Sequence, residues 1–254
     1  MPTPFYHLWV AEDLLLHPDL PAEFQERLGL QRSAFLLGST APDVQTISGQ
    51  SRQATHFFTL PIFSHSKPAW EKMLDVHPEL TQTDRLSDSR IAFLAGYLCH
   101  LQADWLWITN IFTPVFGPRS DWLTFKNRLY LHNVLRSYLD LELQPDLSLS
   151  LSDDLLNAIP QDWLPFVDDR HLCQWRDLLV GQLCSGCESQ TVAVFATRQG
   201  LPVEDFYYML DSEERMDEEV FVHLPRHCLN EYRDKVVEAN VHLMLEKLVW
   251  PAGD

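Results

Sequence analysis

Between Tyr97 and Trp107 the chain reads YLCHLQADWLW, within an apolar run that begins at Ile91. In a helix His100 and Asp104 share one face a turn apart, with Gly96 a turn before them. A carboxylate buried without a partner is costly or takes up a proton, so Asp104 needs a hydrogen-bond donor, a cation or a metal. Three more groups of similar chemistry stand upstream. His7 opens an apolar first helix, Asp43 follows the turn formers Ala41 and Pro42, and His56 precedes Phe57 and Phe58. Singly, each also reads as a structural residue: a core histidine, a cap or turn residue, a loop histidine. Together the five offer three imidazoles and two carboxylates, a donor set suited to zinc and neighbouring divalent metals. A second candidate zinc site is the CxxC pair Cys184 and Cys187 in LCSGCES, with Cys173, His227 or Cys228, although it lacks a second closely spaced pair.

Helices must position these groups, because helical periodicity dominates the chain and strand alternation is almost absent. The principal segments are FYHLWVAEDLLL, QRSAFLLG, SDSRIAFLAGYLCHLQADWLWITNIF, SDWLTFKNRLYLHNVLRSYLDLEL and RHCLNEYRDKVVEANVHLMLEKL. Ser120 with Asp121, and Ser152 with Asp153 and Asp154, mark helix starts, whereas Gly38 and Gly200 mark ends. Between Gly38 and Leu60 the pattern breaks and a loop over the helical scaffold is expected, a common place for a site. The fold class is all-α: a compact multi-helix single domain spanning residues 1–254.

The 254 residues are 46% hydrophobic, enough for one sizeable core, and no linker or repeat argues for two domains. Against 19 basic residues stand 36 acidic ones, and the formal charge of -17 repels phosphate polyanions, so nucleic acid is disfavoured as a partner. No run has the length of a membrane span, and the amino terminus carries no basic leader, so a cytoplasmic location is expected. Five cysteines without an export signal fit reduced thiols.

In that order, HLWVAEDLL, GSTAPD, THFF and GYLCHLQAD resemble the zinc-dependent phospholipase C family, whose fold is shared by the single-strand-specific zinc nucleases. The resemblance spans roughly the first 140 residues and rests on the ordered set of motifs. It implies an all-helical domain with a zinc cluster that hydrolyses phosphodiesters. Carried over, Asp43, His56, His100 and Asp104 would hold one zinc, and His7 a second, with Asp104 bridging the two and the small Gly96 leaving room for the site. The family's second metal also takes the amine of the first residue. Removal of the initiator methionine would make Pro2 that ligand here. The third metal is where the sequence departs, since Asn110 and Arg136 stand where two of its ligands are expected and only His132 remains. Two zinc ions are therefore expected. The resemblance implies a metal-dependent phosphoesterase acting on a phospholipid-like or small phosphoester substrate. Asp43 would orient or deprotonate the water, and Arg136 or His132 would contact the phosphate. The alternatives are a non-catalytic helical protein with a structural metal or buried polar network, and a zinc nuclease.

Overall fold

The computed structural model describes residues 1–63, 65–147, 150–183, 190–248 and 250. The Cys184 and Cys187 pair lies outside them. Among the described residues there are helices and no strands. The α-helices are α1 (Pro4–Leu15), α2 (Ala22–Leu30), α3 (Arg32–Gly38), α4 (Gln45–Ser48), α5 (Arg52–His56), α6 (Ala69–Val76) and α7 (Asp88–Trp107), followed by α8 (Phe125–Leu143), α9 (Leu151–Leu156), α10 (Asp169–Leu183), α11 (Thr191–Gln199), α12 (Val203–Leu210), α13 (Glu213–Met216) and α14 (Arg226–Lys247).

Helix α7 is the axis of the fold. Its sequence is apolar all round, the pattern of a helix enclosed on every side, and every residue from Ile91 to Leu101 is buried. Ser87 caps it by accepting from the Arg90 amide at 3.3 Å, and Asp88 complements the dipole in the first turn. Helix α3 crosses α7 at backbone distance. A Cβ on Gly38 would lie 2.0 Å from the Phe93 carbonyl oxygen, and one on Gly96 would lie 2.2 Å from that of Phe35. Gly38 thus ends α3 but serves the crossing, whereas Gly200 is left-handed at φ 65° after α11, as a helix-ending glycine should be. The space beside Gly96 is filled by α3 backbone, which corrects the expectation that this glycine leaves room for a site.

On another flank α14 docks on α7, its Tyr232 hydroxyl donating to the Ala103 carbonyl at 2.9 Å. Arg233 of α14 pairs with Asp13 of α1 at 2.6 Å and lies over the Trp9 ring, fixing α1 to the same face. Helix α1 starts at Thr3, whose hydroxyl accepts from the Tyr6 amide at 3.3 Å and donates to Asp140 on α8. The buried apolar side chains of these helices form one contiguous cluster.

Two boundaries differ from the sequence reading. Helix α8 starts at Phe125, capped by Thr124, because α7 continues as a π-helical segment, Ile108–Phe116, and residues 118–124 are needed to turn the chain. Arg128 holds that turn by donating to the carbonyls of Trp122, Leu123 and Gly117. The stretch expected as a loop after Gly38 is largely helical turns: a 3-10 turn Ala41–Val44 begun by Pro42, then α4, then α5 capped by Ser51. Among the described residues no helix is long and apolar enough to cross a membrane.

Candidate metal centre

Four elements converge beside the α3–α7 crossing. Helix α1 brings His7, the 3-10 turn brings Asp43, α5 brings Arg52 and His56, and α7 brings His100 and Asp104. Ser51 accepts from the Ala54 amide and sets α5, in which Arg52 and His56 are four apart and share a face. Tyr97 of α7 donates to the Thr55 carbonyl at 2.6 Å and ties α5 down.

Asp104 is the hub. His7 Nε2 stands 3.4 Å from its Oδ1, while His56 Nε2 and His100 Nε2 stand 3.5 and 3.8 Å from its Oδ2. His56 Nε2 is also 3.5 Å from Asp43 Oδ1. The His7 and His100 rings stack with centroids 3.7 Å apart. Two triads result, His7–His100–Asp104 and Asp43–His56–His100, each with one donor atom per residue and all three within 4.8 Å of one another.

The outer ring nitrogens show how the inner ones are aimed. His100 Nδ1 lies 2.9 Å from the Ser39 carbonyl, which can only accept, so Nδ1 carries the hydrogen and Nε2 presents a lone pair to the cluster. His56 Nδ1 is 3.0 Å from the Thr55 hydroxyl. The inward atoms, Nε2 of His7, His56 and His100 and Oδ1 of Asp104, are buried and have no hydrogen-bond partner. Orphaned buried acceptors are rare and costly, and four of them converging from three helices fit a divalent cation.

Protonation agrees with that fit. Burial, with His100 beside it, lowers His7 to about 4, and burial also lowers His56 and His100. Burial alone would raise Asp43 and Asp104. For Asp43 the nearness of His56, 3.5 Å away, leads the outweighing effects, and for Asp104 the electrostatic pull of His100 does, with Arg52 adding to both, so both stay below the usual carboxylate range. Near neutral pH the cluster therefore offers neutral imidazoles and ionised carboxylates, the forms that bind metal.

Arg52 is the residue the sequence reading missed. Its guanidinium donates to Asp104 Oδ2 at 2.6 Å and reaches Asp43 Oδ1 at 3.7 Å, and it is about a third exposed. Its spacing from His56 in RQATH was the available signal.

The other expected residues are placed as follows. Pro2 is buried, but its nitrogen is an amide behind Met1, so Pro2 offers no amine in this structure. Burial, then the charge of Arg136, holds the Met1 α-amine well below the ordinary amine value, against the opposing pull of Asp104 and Asp43. His132 lies among Trp107, Phe112 and Phe116, and its Nε2 accepts from Trp107 Nε1 at 2.9 Å, which removes that atom from phosphate contact. Arg136 donates to Asn133 Oδ1 at 3.1 Å and lies over Phe195. It does not pair with Asp140, whose oxygens accept from Thr3 and Thr191. Asn110 is exposed and bonded to the Leu106 carbonyl and Lys235, away from the cluster.

Among proteins compared with this chain, no curated protein and no solved structure matches it. Residues 6–107, which supply all five donors, match the family described as zinc dependent phospholipase C.

Proposed function

We propose that the protein is a metal-dependent phosphodiesterase of the phospholipase C type. One observation carries the reading: the unpartnered Nε2 atoms of His7, His56 and His100 converge on Asp104 within the family-matched stretch. Zinc held by these residues with Asp43 would supply Lewis acidity, polarising a phosphoryl oxygen and acidifying water.

The chain's own residues have separable roles. Asp43 is the less enclosed carboxylate, with 13% of its side chain exposed against 1% for Asp104, and so is the one placed to meet an attacking water. As the water oxygen bonds to phosphorus and the ester oxygen leaves, Asp43 accepts the water's proton and a proton passes to the leaving alcohol. Arg52 opens to solvent at the edge of the cluster, and Arg136 is a further cation in its field; both suit phosphate charge better than His132 does.

The substrate is read from the surroundings. A cavity of ≈ 800 Å³ is lined by Leu60, Ile62, Phe63 and Phe112, with Arg119 at its edge. Its walls come from residues 60–63 and 65, after α5, and from within residues 112–125, which run from the π-helical segment to the start of α8; none of the five donors lines it. Such a wall favours a phosphodiester with a hydrocarbon substituent over a polynucleotide, in keeping with the charge of -17. The short Arg52–Asp104 contact is what favours the non-catalytic alternative, a buried polar network.

Turnover of bis(p-nitrophenyl) phosphate and of a short-chain phosphatidylcholine, against single-stranded DNA, separates these readings. Hydrolysis of the first two, abolished by a chelator and restored by zinc, is expected. Metal uptake without hydrolysis would leave the structural reading, and preference for DNA would make the protein a nuclease.

A further inference from the structure

Asn240 sits on α14, far along the chain from the family-matched stretch. It is fully buried, and neither its amide nitrogen nor its amide oxygen has a hydrogen-bond partner. Burying an amide unpaired is costly, and asparagine is one of the residues least suited to an enclosed helix face. Something on that face should engage it. The neighbouring space is a small cavity walled by Asn240, His7, His100, Ser39 and Cys99 among apolar residues. It gives a water centre ≈ 10 Å³, close to the least that holds one water.

The three histidines of the cluster differ at their outer nitrogens. His100 Nδ1 is held by the Ser39 carbonyl and His56 Nδ1 by the Thr55 hydroxyl. His7 directs Nε2 at Asp104, and its Nδ1 makes no hydrogen bond to any described residue. A ligating imidazole is ordinarily fixed through its second nitrogen by a carbonyl, a carboxylate or a water. His7 lacks such a hold within the protein, and the unpartnered Asn240 shares a one-water cavity with it.

We propose that Asn240 is a positioning residue for His7: it holds one buried water that bridges its side-chain amide to His7 Nδ1 and fixes the ring with Nε2 facing Asp104. The water takes the His7 Nδ1 hydrogen and donates to the Asn240 oxygen, with the Ser39 hydroxyl or Cys99 thiol within the same cavity for a third contact. The proposal rests on the metal reading for its consequence, not for its geometry.

The test combines a high-resolution crystal structure with zinc affinities measured by competition with a chromogenic chelator for the wild type, Asn240→Leu and Asn240→Asp. A water within hydrogen-bond distance of both Asn240 and His7 Nδ1 is expected in the wild type. Asn240→Leu should weaken zinc binding by roughly 10- to 100-fold, the usual effect of losing such an outer partner, while Asn240→Asp, which keeps an acceptor, should stay close to wild type. In excess chelator the Asn240→Leu protein should lose less stability than it loses in zinc-binding free energy, because leucine adds apolar packing where the amide and its water stood. A cavity without the water, or unchanged zinc affinity in Asn240→Leu, overturns the proposal. So does a loss of affinity matched by an equal loss of metal-free stability, because that is what a merely structural role would produce. If the wild type takes up no zinc, the functional reading fails, while the presence or absence of the water in the same crystal still decides whether Asn240 reaches His7.

Discussion

At the scale of single residues, the cluster sets cations and carboxylates in a balance that substitutions should tip in known directions. Arg52 takes the same Asp104 oxygen that a metal needs, so Arg52→Ala should bind zinc at least as tightly as the wild type. If the guanidinium also meets the phosphate, kcat/KM on a chromogenic phosphodiester should fall by at least about tenfold in the same protein, and unchanged turnover would remove Arg52 from substrate contact. Arg136→Ala should likewise lower turnover while leaving the metal content intact, which elemental analysis beside the kinetics will show. Asp140 makes a different prediction. Burial raises its carboxyl to about 6 in the folded chain, against an ordinary 3.8, despite hydrogen bonds from Thr191 and Thr3. The folded state then holds a proton that the unfolded state has lost between those values, so this residue's contribution is full below about pH 4 and fades as pH rises through about 6. Asp140→Asn should therefore gain melting temperature over the wild type as the buffer moves from about pH 5 to about pH 8, and a flat difference would contradict the buried carboxyl. Residue types alone pointed to His7, Asp43, His56, His100 and Asp104. Asn240 was not legible, because an asparagine on a helix gives no sign of which way it faces until the packing is known, and Arg52 showed only its four-residue spacing from His56.

At the scale of elements, hydrophobic period gave most helices to within a few residues, because α3, α7 and α14 bury long apolar faces that repeat with the helical turn. The misread starts had a local cause: Ser120 and Asp121 look like a helix cap, but the π-helical extension after Trp107 uses up the chain that would have followed them. The two glycines at the α3–α7 crossing were visible as letters, and their role was not, since close approach is a property of two helices at once. This crossing supports the cluster directly, because Ser39, just beyond α3, holds His100 Nδ1. Gly96→Ala would place a methyl 2.2 Å from the Phe35 carbonyl and 2.5 Å from the Ser39 amide, and both are backbone that cannot step aside. Overpacking of this kind costs about 1–3 kcal/mol, so the variant should melt several degrees lower and, with Ser39 displaced, bind zinc more weakly. Wild-type zinc affinity in a clearly destabilised Gly96→Ala protein would show that the crossing carries the fold without tuning the site.

At the scale of the whole molecule, the cluster joins the ends of the sequence: α1 and α14 flank the same axis, and the site's polar atoms sit inside the contiguous apolar cluster. Polar groups so enclosed cost stability unless a ligand compensates them, so chelation should lower the melting temperature, and added zinc should restore it in a concentration-dependent way. The all-α class follows from periodicity and is seen throughout the described residues, whereas the single-domain organisation over residues 1–254 remains a proposal for limited proteolysis to test. The central claim is that His7, Asp43, His56, His100 and Asp104 form a metal centre, and metal content tests it most directly. Protein purified without chelator should contain about two zinc-like ions per chain, the number the resemblance implies with Asp104 between them, and the His100→Ala, Asp104→Ala double variant should contain none. A wild type free of metal, or a double variant that keeps its full complement, would contradict the account.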